Sequence, residues 1–591
     1  MDRDEFLIRN ISFNYFSSSA SLQVTLQKPL EKKVGRAYGP PGTKHLVYFI
    51  DDFNMPKVDD YGTVQPHTLL RQHLDYRHWY DRDTLVVRDI HNVQYVACMN
   101  HVAGSFTINP RLQRHFCVFS VLFPDTKALT SIYSSILEQH LQCGAFAPVT
   151  QETAPKIVLL ALDLHQKVSS MFLPTNIKFH YIFNLRDISR IFQGLLFSKA
   201  ENFLHKTDIL RLFLHESNRV YKDRMVEERD LEMFDRIQAT SVKKHFHDIT
   251  ETELQEWKDD IFCHFSMGID EARYLLAPSR KALHQILREV LEGYNAVHAT
   301  MDLVLFEDAI AHVCRISRIL KSPGGHALLV GVGGSGKQSL TRLAAFLSSM
   351  EVFQPTLHQG YSTSDLKADV ANLLMKTGLK GQRTVFLLTD DQLPDLHFLV
   401  LINDLLISGE IPDVLSDDAI EEIIKGVRNQ VKAAGLQDSR ENCWAFFTNH
   451  VRQNLKVVLC LSPAGGKLRA QSQRYPAITS YTTIDWFHDW PPEALEYVSL
   501  RFLQETDGIG EEARSSASKF MALVHTSVNK ASQKYLASDR RHYYTTPKSF
   551  LEQIKLYQFL LTKRTSELTN KIKRLENGLQ KLQSTTVQVR Q

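Results

Sequence analysis

Short runs of uninterrupted apolar residues, each followed by acidic or small polar residues, occur in two parts of the chain. In the first part they occupy residues 44–52, 94–100 and 116–123. In the second part they occupy residues 327–330, 384–389 and 456–461. Strands that are apolar on both faces are typical of parallel sheets covered by helices. The pattern therefore predicts two α/β units along the chain.

Helical periodicity follows each group of predicted strands. Residues 125–298 show it, for example at 188–197 and 208–223. A helix over 301–320 is predicted before the second group of strands, and helices are predicted to fill the region after Pro491. Two copies of one module, each a set of strands followed by helices, indicate an array or a ring of modules.

The C-terminal residues carry a heptad pattern. Apolar side chains alternate at steps of three and four, with Thr586 in one position, at Leu561, Leu568, Ile572, Leu575, Leu579, Leu582 and Val589. This spacing, with polar residues elsewhere, favours a two-stranded coiled coil over an amphipathic helix packed on its own domain. The sequence ends within the pattern, so the second strand is expected to come from outside these residues.

Composition narrows the class of protein. With 591 residues, three or four domains are expected, and 23% charged and 43% hydrophobic residues are ordinary for a soluble protein. A net charge of +3 without a basic stripe argues against nucleic-acid binding. The acidic start is not a signal peptide, and no apolar run reaches the length of a membrane span. Seven scattered cysteines without a C-x-x-C pair predict a reducing compartment, buried thiols and no zinc site.

A glycine-rich turn gives the clearest chemical signal. Residues 326–339 read HALLVGVGGSGKQS, so an apolar strand enters a glycine loop, a lysine follows, and a helix is predicted from Leu340. Glycines let backbone N–H groups turn inward around phosphate oxygens, and the lysine reaches the β- and γ-phosphates. The order of these parts makes a chance turn a poor alternative. The predicted nucleotide-binding residues are Gly331, Val332, Gly333, Gly334, Ser335, Gly336, Lys337, Gln338 and Ser339.

One residue departs from the usual phosphate loop. Gln338 occupies the position where a serine or threonine hydroxyl normally holds Mg²⁺. Ser339 follows one place later and would need a shifted helix start to supply that hydroxyl. The loop therefore predicts nucleotide binding more strongly than hydrolysis.

Three strand-end residues in the second unit are candidates for the chemistry of hydrolysis. Asp390 is placed to hold Mg²⁺, and Asp391 to polarise the attacking water. An aspartate is one methylene shorter than the glutamate usual there, so its carboxylate is set back by about 1–1.5 Å, which weakens in-line attack. Ser462 is placed to sense the γ-phosphate. For each residue alone, a strand-end cap is the alternative.

The first unit repeats these positions without a phosphate loop of its own. Asp51, Asp52 and Asn100 occupy the metal, catalytic and phosphate-sensing positions. The segment GPPGTK at 39–44 imitates a phosphate loop but leads directly into the strand that bears Asp51, so no helix can follow it. A true loop is expected upstream of Met1.

Arginines near the far edge of each unit are candidate fingers. Arg111 and Arg114 lie in NPRLQRHF, and Arg474 lies in QSQRYP. Such an arginine can reach the γ-phosphate of a neighbouring module in trans, and Arg186 could touch phosphate in cis. A surface salt bridge is the alternative for each of them.

Long motifs carry a family resemblance. They are LVYFIDDFNMP, NPRLQRHF, YIFNLRDISRIFQG, GVGGSGKQSLTRLAAF, LKVVLCLSP and TTIDWFHDWPPEAL. These motifs closely resemble the dynein heavy chain. MNHVAGSFTINPRLQRHF and GKQSL are similar to axonemal chains, most like the outer-arm beta type. The resemblance extends over essentially the whole chain.

The resemblance implies two of six AAA+ modules of a motor ring. It assigns 1–125 to the α/β part of module three without its Walker A loop, 126–298 to its helical lid and connecting helices, 299–490 to the α/β part of module four, 491–550 to the module four lid, and 551–591 to the start of the stalk coiled coil. It implies that Arg474 serves the nucleotide of module three and Arg114 that of module two.

The same resemblance implies a biological role. It implies ATP or ADP with Mg²⁺, a minus-end-directed microtubule motor for ciliary and flagellar movement, and a location in the cytoplasm, cytoskeleton and axoneme. The implied partners are the other AAA+ modules, the microtubule through a stalk tip outside these residues, and dynein intermediate and light chains. Gln338 and Asp391 favour a regulatory site with weak or no hydrolysis. Two alternatives stay open: a stand-alone ring-forming ATPase, and a non-motile scaffold or dominant-negative fragment acting through its coiled coil.

Overall fold

A computed structural model describes residues 5–100, 107–268, 273–393, 396–411, 414–504, 506 and 508–590. The chain divides into two compact units, each built from separate stretches of sequence. The first unit comprises Met1–Leu276, Ile316–Leu329 and Ala345–Asp485. The second comprises Ala277–Arg315, Val330–Ala344 and Trp486–Gln591.

The regular elements are numbered in chain order. The strands are β1 Phe6–Ser12, β2 Glu31–Lys32, β3 Ala37–Gly39, β4 His45–Asp51, β5 His78–Tyr80, β6 Val87–Ile90, β7 Val93–Ala97, β8 Phe262–Cys263, β9 Leu275–Leu276, β10 His326–Val330, β11 Glu351–Phe353, β12 Thr384–Thr389, β13 Leu455–Leu461 and β14 Thr482–Trp486. The helices as far as the phosphate loop are α1 Ser19–Gln27, α2 Gln65–Tyr76, α3 Pro110–Gln113, α4 Thr126–Cys143, α5 Pro148–Gln151, α6 Ala154–Met171, α7 Leu185–Leu195, α8 Lys206–Tyr221, α9 Glu228–His245, α10 Glu251–Trp257, α11 Arg280–Val297 and α12 Glu307–Lys321. The later helices are α13 Lys337–Leu347, α14 Thr363–Gly378, α15 Leu396–Ser408, α16 Asp417–Ala433, α17 Arg440–Asn454, α18 Lys467–Arg474, α19 Ala477–Ser480, α20 Pro492–Gln504, α21 Glu511–Asp539 and α22 Pro547–Arg590.

Two sheets carry the predicted apolar strands. One has the order β1-β4-β7, and the other has the order β11-β12-β13-β10-β14. The pairs β1–β4, β4–β7, β11–β12 and β12–β13 are parallel. Every residue of β12 and β13 is buried, which explains why neither strand alternates polar with apolar side chains. The predicted α/β class is confirmed.

The strand predicted at 116–123 is wrong. These residues form no regular element, and five apolar side chains among them are exposed: Val118, Phe119, Val121, Leu122 and Phe123. A strand is stable only when its backbone N–H and C=O groups pair with a neighbouring strand. No strand of the described residues pairs with this segment. An apolar run alone therefore does not predict a strand, because it does not show which other strand would pair with it.

A large helical core completes the first unit. Helices α4 and α6–α9 supply most of its buried apolar side chains. Within this core, Glu216 of α8 is fully buried. The Nε of Arg318 donates to Glu216 Oε1 at 3.2 Å and Oε2 at 3.0 Å, and the Tyr274 hydroxyl donates to Oε1 at 2.5 Å. A Cβ on Gly194 would lie 1.8 Å from Glu216 Oε2, so only glycine allows α7 to approach so closely.

The second unit contains the phosphate-loop helix and the long C-terminal helix. Its core includes Leu495, Val498, Leu503, Met521, Ala522, Phe550 and Ile554. Helix α22 has 44 residues and only its beginning is buried in that core. Six heptad side chains are exposed, namely Leu568, Ile572, Leu575, Leu579, Leu582 and Val589. The helix is present, and its pairing in a coiled coil stays a prediction.

Two smaller expectations can be compared with the structure. Cys263, Cys314, Cys443 and Cys460 are buried, but Cys117 and Cys143 are exposed, so the expectation of buried thiols is wrong for those two. Their segments lie at the surface, where a short apolar side chain has no core to enter. In the part of the chain that the structure describes, every helix is too short or too polar to cross a membrane.

Candidate functional site

The predicted phosphate loop forms a tight backbone turn in the second unit. Strand β10 ends at Val330, whose carbonyl accepts a hydrogen bond from Phe487 N at 2.8 Å. Gly334 and Gly336 have φ of +78° and +88°, in the left-handed region that favours glycine. A Cβ on Gly331 would lie 2.7 Å from the Phe487 Cβ. The loop therefore has the geometry of an anion cradle that larger residues would fill.

Lys337 is anchored inside this loop. Its side chain is almost fully buried, and Nζ donates to Gly331 O at 2.5 Å, Val332 O at 2.8 Å and Ser335 Oγ at 3.2 Å. These three acceptors position the ammonium group inside the glycine turn. A phosphate oxygen would be a stronger, charge-assisted acceptor for the same group. The residues present thus fit a nucleotide phosphate.

Helix α13 begins at Lys337, three residues before the predicted Leu340. Gln338 is exposed in its first turn, and Ser339 is half-buried beside it. The role of the Ser339 hydroxyl at the metal, which needs a shifted helix start, stays a prediction. A glutamine amide at this position is neutral and offers no hydroxyl for a metal.

Lys548 is a residue that sequence reasoning missed. A Cβ on Gly334 would lie 2.3 Å from Lys548 Cβ and 3.0 Å from its backbone N, so helix α22 begins directly against the loop tip. Thr546 and Ser549 cap this helix reciprocally, each side chain accepting from the other's backbone N–H at 3.2 Å. The first turn places backbone N–H groups near the cradle, where they favour an anion. The exposed Lys548 ammonium itself lies 4.0 Å from Glu552 Oε1. The sequence signal was Thr-Pro-Lys, a typical helix start.

Asp390 and Ser462 lie together at the end of two paired strands. Thr389 of β12 is in register with Cys460 of β13, and Ser462 N donates to Asp390 Oδ2 at 2.6 Å. Asp390 begins a short 3₁₀ turn, in which the following Asp391 is exposed to solvent. A carboxylate at a strand end suits Mg²⁺, whose ligands are oxygen atoms.

The acidic pair of the first sheet is also brought together with its neighbours. Asp51 Oδ1 accepts from Asp52 N at 2.9 Å and from Cys98 Sγ at 3.0 Å. Asp52 has φ +53°, which turns its side chain away from the strand direction. Asn100 is exposed, and its carbonyl accepts from Asn54 Nδ2 at 3.0 Å. The GPPGTK segment leads directly into β4, as expected of an imitation loop.

The local environment shifts the pKa values of two groups at this acidic pair, Asp52 and Cys98. Burial, reinforced by the neighbouring Asp51, raises the pKa of Asp52 to about 6, while Arg186 opposes that rise. Burial and the hydrogen bond to Asp51 raise the pKa of the Cys98 thiol to about 12. Arg186 therefore acts electrostatically on Asp52, which supports its assignment to this site. Cys98 stays a neutral hydrogen-bond donor at physiological pH.

The candidate arginine fingers differ in their surroundings. Arg474 is the last residue of α18, and its guanidinium lies 5.0 Å from the centre of the Tyr15 ring, in the loop after β1. It therefore lies beside the first α/β module, as its predicted role requires. Arg114 is exposed and forms a 2.9 Å ion pair with Asp75, which is the surface salt bridge that the sequence left open. Arg111 is exposed.

We expect replacement of Asp52 by asparagine to change the pH dependence of stability. The pKa of Asp52 is raised from its ordinary 3.8 to about 6, so its stabilising contribution is complete below pH 3.8 and lost as pH rises through about 6. The asparagine variant should therefore gain stability relative to the parent as pH rises from about 4 to 7. Urea unfolding at a series of pH values measures this difference. An Asp75→Asn control should stay nearly flat from pH 5 to 7 and lose its difference from the parent only as pH falls through about 4, because, against the effect of burial, Arg114 and His115 lower the pKa of Asp75. A flat difference for Asp52→Asn would contradict the assignment.

Comparisons with known proteins agree with this geometry. Residues 301–560 match the family described as "P-loop containing dynein motor region D4", residues 1–124 match "P-loop containing dynein motor region", and residues 157–256 match "AAA+ lid domain".

The chain is 60% identical to dynein axonemal heavy chain 9 of Homo sapiens over 589 residues, 100% of this chain and 13% of the relative. It is 57% identical to the ciliary dynein beta chain of Tripneustes gratilla over 586 residues, 99% of this chain and 13% of the relative. It is 47% identical to the flagellar outer-arm dynein alpha chain of Chlamydomonas reinhardtii, over 98% of this chain and 13% of the relative. The chain thus spans about one eighth of the length of these relatives.

Proposed function

The chain belongs to the dynein heavy chain family, and we propose that its Gly331–Lys337 loop binds the phosphate groups of ATP or ADP. The observation that carries this proposal is the buried ammonium of Lys337, held at 2.5–2.8 Å by two carbonyls of the glycine turn. A phosphate would accept hydrogen bonds from that ammonium and from the loop's backbone N–H groups.

In this proposal the candidate residues have distinct roles. Lys337 holds the β- and γ-phosphates, and the first turn of α22, at Lys548, adds backbone N–H groups beside the loop tip. Mg²⁺, when bound, would neutralise phosphate charge, and Asp390 is the residue that would hold it. Gln338 supplies no hydroxyl for the metal, and Asp391 has a shorter reach than glutamate. Slow or no hydrolysis and a regulatory role follow from those two residues.

The same family membership supports a role in movement. We propose that the chain contributes to an ATP-driven, minus-end-directed microtubule motor of the ciliary or flagellar axoneme. Its partners would be the other AAA+ modules, microtubules, and dynein intermediate and light chains. The proposed module boundaries are 1–125, 126–298, 299–490, 491–550 and 551–591, and the matched ranges 1–124, 157–256 and 301–560 support a division of this kind. In this arrangement Asp51, Asp52, Asn100, Arg186 and Arg474 serve the nucleotide of the first module, and Ser462 senses the γ-phosphate in the second.

We expect Lys337→Ala to weaken binding of Mg²⁺-ATP by about 10- to 100-fold, because a hydrogen bond to a charged group contributes about 1.5–3 kcal/mol. Isothermal titration calorimetry of the 591-residue chain measures the affinity. The matched control is Lys380→Ala, which removes an exposed lysine and should leave the affinity unchanged. The proposal fails if the parent shows no saturable binding at millimolar ATP, or if Lys337→Ala binds as tightly as the parent.

A scaffold role is the second candidate, and the exposed heptad of α22 favours it. Apolar side chains at Leu568, Ile572 and Leu575 are all more than half exposed. Burying them against another helix would be favourable. Analytical ultracentrifugation of the chain with and without residues 561–591 tests this role. Concentration-dependent dimerisation that disappears on deletion, in a chain that does not bind ATP, would favour the scaffold over the nucleotide-binding role.

A further inference from the structure

A pair of stacked aromatic rings lies directly against the phosphate loop in the second unit. The rings belong to His312, in helix α12, and to Phe487, the residue that follows β14. Their planes differ by 4° and their centres lie 3.8 Å apart, and both side chains are buried. Aromatic pairs usually prefer offset or edge-to-face arrangements with centres ~4.5–7 Å apart. The surrounding packing therefore holds these two rings in close face-to-face contact.

Phe487 joins this stack to the start of the phosphate loop at two points. Its backbone N donates to Val330 O, at the end of β10, at 2.8 Å. Its side chain lies so near Gly331 that a Cβ there would be 2.7 Å from Phe487 Cβ and 3.0 Å from Ser335 Oγ. The backbone of Gly331 is not in the left-handed region. Close packing between Phe487 and Ser335, and not an unusual φ, therefore requires glycine at this position.

The same stretch of backbone holds the Lys337 ammonium. Gly331 O accepts from Lys337 Nζ at 2.5 Å, and Ser335 Oγ accepts from it at 3.2 Å. The two residues that confine Gly331 are thus an acceptor of the ammonium and the ring partner of His312. Because protein interiors are close-packed, a displacement of the Phe487 ring is transmitted to the loop and is not absorbed by empty space.

We propose that His312 is a positioning residue for nucleotide binding at this loop. By stacking flat on Phe487 it fixes the Gly331 carbonyl and, through that carbonyl, the Lys337 ammonium. This proposal rests on the proposed function of the loop and adds a residue that acts through Phe487. The position requires a ring, because only a flat side chain can cover the Phe487 ring at a spacing of 3.8 Å.

Ordinary core packing makes a different prediction for His312. If the side chain only fills space, any apolar residue of similar volume should replace it with little effect on the loop. If it positions the loop, the shape of the side chain decides the outcome. A branched aliphatic side chain presents an uneven surface to the Phe487 ring, so the ring and Gly331 would have to shift.

The test compares two substitutions in the 591-residue chain. His312→Leu keeps a similar volume but removes the flat ring, and His312→Phe keeps a ring that is one atom larger. We expect His312→Leu to weaken Mg²⁺-ATP binding by about fivefold or more, because a misplaced ammonium loses part of its charge-assisted hydrogen bond to phosphate. His312→Phe should bind within about twofold of the parent. Isothermal titration calorimetry measures both affinities.

Amide hydrogen exchange without nucleotide reports on the loop itself. In His312→Leu, the amides of residues 331–337 should exchange about tenfold faster than in the parent, because local opening of the loop becomes easier. In His312→Phe they should exchange as in the parent. This measurement needs no bound ATP, so it decides the role of His312 even for a chain that does not bind ATP. Failure of this proposal is thereby distinguishable from failure of the proposed loop function.

Leu503→Ala is the matched control. Leu503 is fully buried in the core of the same unit, on α20, so its truncation destabilises the unit without changing the stack. It should leave ATP affinity and loop exchange unchanged. The proposal is overturned if His312→Leu exchanges like the parent, or if it binds ATP as tightly as a parent that binds. It is also overturned if His312→Phe loses as much as His312→Leu, or if Leu503→Ala changes the loop equally.

Discussion

Replacing Arg318 by methionine is expected to lower the free energy of unfolding of the first unit by about 3–5 kcal/mol, because it leaves the fully buried Glu216 carboxylate without its cation. Burial alone would lower the pKa of Arg318, yet Glu216 raises it well above its usual range. Tyr274 alone supplies one hydrogen bond to Glu216 and no charge. Urea unfolding followed by circular dichroism measures the loss.

Two further variants make this prediction specific. Adding Glu216→Gln to Arg318→Met removes the orphaned charge and should restore part of the lost stability. The control is Arg236→Met, which breaks an exposed i,i+4 pair with Glu232 and should change stability little. If Arg318→Met and Arg236→Met cost the same, the buried pair does not stabilise the unit as we infer.

Replacing Gly334 by alanine is expected to cost about 2–5 kcal/mol at the phosphate loop, from about 1–2 kcal/mol for the left-handed backbone and about 1–3 kcal/mol for overpacking. The added Cβ would lie 2.3 Å from Lys548 Cβ at a φ of +78°. Either the loop or the first turn of α22 must move. We expect at least tenfold weaker Mg²⁺-ATP binding and faster amide hydrogen exchange in residues 546–554.

The neighbouring glycine provides the matched control. A Cβ on Gly333 would meet nothing within 4 Å, and its backbone is not in the left-handed region. Gly333→Ala should therefore retain slow exchange at the start of α22. Equal behaviour of the two alanine variants would show that contact with Lys548 does not shape the loop.

The sequence allowed much of the α/β fold to be predicted because the central strands are apolar at every position. Strand β12 begins and ends at the predicted residues, and β13 begins one residue earlier than predicted. The run 116–123 has the same composition but no ladder partner among the described residues. Apolarity reports a preference for a sheet, whereas pairing depends on residues distant in sequence.

The residues of the candidate site likewise fall into those predictable from local sequence and those that depend on tertiary packing. The glycine loop and the strand-end acids Asp390 and Asp51 follow from local order, so the sequence revealed them. Lys548 reaches the loop tip from more than two hundred residues away in the sequence. His312 meets Phe487 only when α12 packs against the residue that follows β14. No local pattern encodes such contacts, because they depend on tertiary packing.

Helix α22 begins beside the phosphate loop and extends far beyond the core that holds its first turns. At about 1.5 Å per residue its 44 residues extend about 65 Å, yet its anchored part ends near Gln558. The free portion is thus a lever arm of about 50 Å. A tilt of only about 5° at its root would move its far end by about 4–5 Å, close to the rise of one helical turn. Small displacements at the nucleotide cradle would be magnified into displacements large enough to shift one helix past another.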